Sequence, residues 1–130
     1  MNLKSIPLVF LLPVLIVTSH ALAAADKVEH LDTYQQQGVD PTDPERGRQL
    51  WYATDGERSC TSCHGEMPAV SGKHVKTGKP IEPMAPSVNP KRYQTAKKIE
   101  KWFLRNCKWT FGRECSTQEK ADILTWLASQ

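Results

Sequence analysis

Apolar side chains crowd the start of this chain and then thin into short periodic stretches. From Ile6 to Val17 the sequence is apolar throughout, interrupted only by Pro7 and Pro13. Lys4 precedes this run, and Thr18-Ser19-His20 leads from it into Ala21-Leu22-Ala23-Ala24-Ala25. A basic start, a short apolar run and a small-residue exit are the parts of a secretory signal. The run is roughly a dozen residues, against about twenty needed to span a bilayer. Residues 1–25 are therefore read as a cleaved signal peptide, which leaves no stable membrane anchor and places the mature protein in the periplasm.

Residues 26–42 are polar, include Gln35-Gln36-Gln37-Gly38, and are read as a flexible arm. Asp43-Pro44 supplies a cap and a first-position proline for a helix that runs through Arg48, Leu50 and Trp51 and stops before Asp55-Gly56. Gly65, Pro68, Gly72, Gly78, Pro80, Pro83, Pro86 and Pro90 then forbid a helix, and the stretch reads as a long irregular loop with a functional reason to exist. Ile99, Trp102, Phe103 and Asn106 fall at i, i+3, i+4 and i+7, a helical stripe within Thr95 to Cys107. Ser116-Thr117-Gln118-Glu119 is a capping box that opens a last helix with Ala121, Leu124 and Ala128 on one side. With no strand signal, residues 43–130 form an all-α domain.

Four cysteines change this picture. Cys60-Thr61-Ser62-Cys63-His64 has the spacing of c-type haem attachment. Two thiols three residues apart can each add to one vinyl group of a single porphyrin, and the next histidine is then held beneath the iron. A zinc site would need a second Cys or His pair at ligand spacing. A thioredoxin-like site would need strand–helix alternation around the motif. Neither is present, so Cys60, Cys63 and His64 are assigned to one covalent haem c, with His64 as the proximal ligand. Cys107 and Cys115 are left over in an oxidising compartment and should pair with each other. Helix, haem motif, loop, helix, helix is the order of the small class I cytochrome c fold. A domain of this size has a thin core that a cofactor helps to complete.

The second axial position decides between electron carriers and gas binders. Met84, in Pro83-Met84-Ala85-Pro86, would make a plain electron carrier, or else packs on the porphyrin as filler. His74 would give a bis-histidine site but lies among Gly72, Lys73 and Lys76. His30 is in the arm and ranks lower. Asn106 lies in an apolar stripe, where a buried amide either caps the helix end or bonds a nearby carbonyl, or points its oxygen at the iron.

At these residues the chain resembles a known family. The haem motif, the loop Pro80-Ile81-Glu82-Pro83-Met84-Ala85-Pro86-Ser87-Val88-Asn89-Pro90, the segment Phe103-Leu104-Arg105-Asn106-Cys107-Lys108-Trp109 and the stretch from Arg113-Glu114-Cys115 to Asp122 are similar to the high-spin, oxygen-binding cytochromes c called sphaeroides haem protein. The resemblance covers roughly residues 43 to 129. It implies that Asn106 ligates oxidised iron and leaves on reduction, that the ferrous haem then binds oxygen, nitric oxide or carbon monoxide, and that a Cys107–Cys115 disulfide lies alongside. It also implies a multihaem cytochrome as electron donor.

Charge bears on that donor. The overall net charge is only +3, but it is segregated. Residues 26–66 carry four bases against nine acids, a net of −5, and residues 67–113 carry eleven bases against two acids, a net of +9. A basic face near a haem edge would steer a partner with an acidic face. An exported haem protein has little occasion to bind nucleic acid. The competing functions are a Met84-ligated electron carrier without gas binding, and an enzyme acting on oxygen, nitric oxide or peroxide. No acid–base pair beside the motif identifies itself as catalytic.

Overall fold

The computed structural model describes residues 31–37 and 40–130. The signal-peptide reading of residues 1–25 and His30 lie outside the described residues. Helices dominate: α1 (Leu31–Gln36), α2 (Pro44–Tyr52), α3 (Thr61–His64), α4 (Ala96–Phe111) and α5 (Thr117–Ala128). Asp43 caps α2 by accepting from the Glu45 amide at 2.8 Å, with Pro44 at the first position. Both halves of the Ser116–Glu119 capping box open α5.

The core is built where α2 crosses α5. Gly47 permits the approach, because a Cβ there would come within 2.1 Å of the Asp122 carbonyl oxygen. Asp122 is buried yet charged, and it is fully partnered. Its carboxylate accepts from Arg46 Nε at 2.8 Å, from the Asp43 amide at 2.8 Å and from Gln118 at 3.0 Å. Burial alone would raise its pKa, but these donors, Arg46 foremost, hold it below the usual carboxylate value. Trp51, Ile123, Trp126 and Leu127 form one apolar cluster, and Tyr34, Ile99, Ala121 and Leu124 another. Phe103 and Tyr93 touch both.

Three expectations change. Residues 31–36, placed in a flexible arm, are helical, and Tyr34 is buried with its hydroxyl on Glu100. The burial of Tyr34 and the packing of partly buried Leu31 against α4 and α5 order a segment that its polar sequence does not. The loop between α3 and α4 is irregular, as the prolines require, but contains a two-stranded antiparallel hairpin, β1 (Gly72–Lys73) and β2 (Pro80–Ile81). Such short strands leave no alternation to read. Finally, α4 runs past Cys107 to Phe111 and ends at Gly112 in a left-handed conformation.

Candidate haem site

The haem motif is held from three sides. α3 carries Cys63 and His64, with Cys60 at its cap. From α2, Trp51 donates through Nε1 to the Gly65 carbonyl at 3.2 Å, and its ring lies 5.5 Å from that of His64. From the loop, β1 passes directly over the motif: a Cβ on Gly72 would meet the Cys63 carbonyl oxygen at 2.2 Å and His64 Cα at 2.7 Å. Only glycine allows that contact.

A cavity of about 770 Å³ opens against this motif. Cys60, Cys63 and His64 line it, as do Met84, Asn106 and Trp109. Neither motif cysteine is in a disulfide. The Cys60 thiol is pushed up to about 11, chiefly by burial, against a hydrogen bond from the Thr110 hydroxyl. His64 is lowered to about 4 by burial and by the charge of Arg92, so its imidazole is neutral at pH 7, as a metal ligand must be. Its Nδ1 is buried and has no hydrogen-bond partner among the described residues. Two cysteines outside any disulfide and a buried imidazole with an unpartnered nitrogen line one cavity, and they fit a covalent porphyrin: Cys60 and Cys63 for its vinyl groups, His64 for its metal.

The remaining candidates separate by position. Asn106 is half-buried on α4 and faces the cavity. All four residues of the stripe that contains it line the cavity; Ile99 and Phe103 also pack against the core, whereas Trp102 is exposed. Met84 also borders the cavity and packs against the cluster of Trp51, Ile123, Trp126 and Leu127, of which Trp51, Ile123 and Leu127 line the same cavity. His74 is exposed at the rim, and its Nδ1 accepts from the Lys76 and Thr77 amides at 3.2 and 3.3 Å. Cys107 and Cys115 are joined as a disulfide beside Asn106. Thr110, Arg92 and Tyr93 also line the cavity and were not singled out by the sequence. Thr110 was in principle legible, one helical turn beyond Asn106.

A covalent-haem cytochrome c is the class that this fold and site define. The family described as "Domain of unknown function (DUF1924)" matches residues 37–127. Cytochrome c-type protein SHP of Cereibacter sphaeroides is 43% identical over 102 residues, covering 75% of this chain and 78% of that protein. The structure of oxidised SHP, an oxygen-binding cytochrome c, superposes with a TM-score of 0.73 at 40% identity, over 82% of this chain and 97% of that one. The solution structure of cytochrome c'' from Methylophilus methylotrophus gives a TM-score of 0.64 at 32% identity, over 82% of this chain and 93% of that one. The chain belongs to the SHP family of c-type cytochromes and carries a covalently bound haem c.

Proposed function

We propose that this chain is an exported, periplasmic monohaem cytochrome whose haem iron would be held by His64 and, in the oxidised state, by Asn106. On reduction Asn106 would release the iron, which could then bind oxygen or nitric oxide, with electrons delivered by a partner cytochrome. The haem supplies a redox-active iron that accepts a diatomic ligand in its ferrous state. Everything else comes from the chain. Asn106 offers an amide oxygen, a hard and weak donor that matches ferric better than ferrous metal. Once released, its NH2 group can donate a hydrogen bond to a ligand within the same cavity. The Cys107–Cys115 bridge braces the turn that carries it, and Trp109 and Phe111 narrow the access of water.

The observation that supports this reading is the cavity that His64 and Asn106 share, with the Cys107–Cys115 disulfide beside Asn106; Met84 lines the same cavity and is the rival that the variants below separate. Two relatives point the same way: oxidised SHP is described as an oxygen-binding cytochrome c, and the cytochrome c'' structure concerns haem-ligand detachment. The test is the optical spectrum of ferrous protein before and after carbon monoxide, for wild type, Asn106→Ala and Met84→Ala. A high-spin ferrous haem that takes up carbon monoxide in all three is expected, with only Asn106→Ala altering the oxidised spectrum. A low-spin ferrous haem that ignores carbon monoxide and opens only in Met84→Ala would make the protein an ordinary electron carrier.

A further inference from the structure

Arg92 and Tyr93 have no part in the reading above, yet the fold spends unusual backbone on them. Tyr93 sits at φ 59°, the only described non-glycine residue in the left-handed region, which side chains with a Cβ rarely occupy. Together the two side chains grip three successive main-chain carbonyls of the loop. Arg92 donates through Nη2 to Glu82 O at 2.6 Å and through Nε to Pro83 O at 2.9 Å, and the Tyr93 hydroxyl donates to Met84 O at 2.8 Å. A strained residue persists where its surroundings over-determine it, and such residues cluster at ligand clamps.

The grip fixes a guanidinium in the cavity wall without neutralising it. Carbonyls satisfy Nε and Nη2, no carboxylate pairs with Arg92 among the described residues, and Nη1 has no protein acceptor there. Lys76, Lys91, Lys98 and Arg105 also line the cavity, but all four are exposed, and Arg92 alone of these cations is partly buried. A partly buried guanidinium held in the cavity wall, with Nη1 unpartnered, suits an anion of planar, two-oxygen geometry. Haem c brings two such groups, its propionate carboxylates. We propose that Arg92 receives a haem propionate, and that Tyr93 is a positioning residue that aims it by holding the loop carbonyls. The proposal needs only the haem, not Asn106 in the distal position, so the two stand or fall separately. An aimed cation there also favours the ferrous state, the less positive one, and so bears on when a distal ligand is released.

Reductive titration of the holoprotein from pH 5 to 8 tests this. The other charged or titratable groups at the cavity are His64, His74, the exposed cations named above, Glu82 at the rim and Tyr93 itself. The series is therefore run in a His74→Asn background, so that the rim imidazole contributes no proton. With Arg92 present, the propionate stays ionised and the midpoint potential is flat. Arg92→Leu is expected to shift the ferrous/ferric ratio toward ferric about tenfold, equal to about 59 mV for one electron, and to introduce a pH-dependent inflection. Tyr93→Phe should give a smaller shift in the same direction, and Arg92→Lys should keep most of the wild-type value. If Arg92→Leu does not mature with haem, Arg92→Gln is judged by the same criterion. A variant without the guanidinium charge that keeps the wild-type potential and flat profile overturns the proposal, and reduces Arg92 to a staple for the loop.

Discussion

Gly72 shows what a single residue contributes that no motif announces. Its Cα faces the backbone of Cys63 and His64 so closely that a methyl group would overlap the Cys63 carbonyl, which cannot swing aside as a side chain could. Gly72→Ala is expected to cost about 1–3 kcal/mol, the usual range for overpacking. A lower urea midpoint and a reduced yield of covalently attached haem should appear together; unchanged values of both would show that β1 moves freely over the motif. The thiols and histidine of the motif were legible because covalent chemistry sets their spacing within five consecutive residues. Gly72, Trp51, Arg92 and Tyr93 were not, because each acts on a residue that only folding brings near. Trp51 reaches back from α2 to Gly65, and Tyr93 reaches Met84 across the loop. Asn106 lies between these cases: its polarity in an apolar stripe was visible, but that the stripe lines the cavity beside His64 required the fold.

Among the elements, local signals survived and long-range ones did not. Asp43-Pro44 and Ser116–Glu119 marked α2 and α5 correctly because a cap is satisfied within one turn. α1 escaped notice because its order comes from Tyr34 and Leu31 packing on distant helices, not from its own sequence. The crossing of α2 and α5 makes a prediction at this scale. Asp122 is held below an ordinary aspartate, about 3.9, by the donors from Arg46, Asp43 and Gln118. Below that value the unfolded chain binds a proton that the folded chain resists, so stability falls as pH drops through the folded pKa. Urea midpoints of wild type should be steady above pH 5 and fall progressively from about pH 4 downward. Asp122→Asn should flatten that acid limb and cost about 1–3 kcal/mol at pH 7, the worth of hydrogen bonds to a buried charge. Arg46 is half-exposed and regains water when its partner is lost, which keeps the cost at the lower end for a buried pair. An acid limb unchanged in Asp122→Asn would assign the pH dependence to other carboxylates.

At the scale of the whole molecule, charge was the most legible property, since the net of +9 over residues 67–113 needs no fold to be counted. What the sequence left open was where that charge lies. The structure draws Lys76, Lys91, Arg92, Lys98 and Arg105 from the loop and α4 around one cavity, with Glu82 as the acid in its lining. The cations converge there because the long loop folds its basic residues back against the basic face of α4, so two separate stretches of sequence build one positive rim. A rim of one sign raises the local concentration of an oppositely charged donor and speeds its encounter, an effect that salt removes within a Debye length. Electron entry by this rim therefore predicts a charge-selective rate. Reduction by an anionic iron–EDTA complex should be fast at low salt and fall about tenfold as ionic strength rises to about 0.5 M. Reduction by a cationic ruthenium hexaammine should rise over the same range. Lys98→Glu with Arg105→Glu should weaken both dependences while leaving the haem spectrum unchanged, because neither residue is assigned to the haem or its ligands. Stopped-flow traces that give equal rates for the two reductants at every salt concentration would place electron entry away from this rim, and with it the docking of any acidic partner.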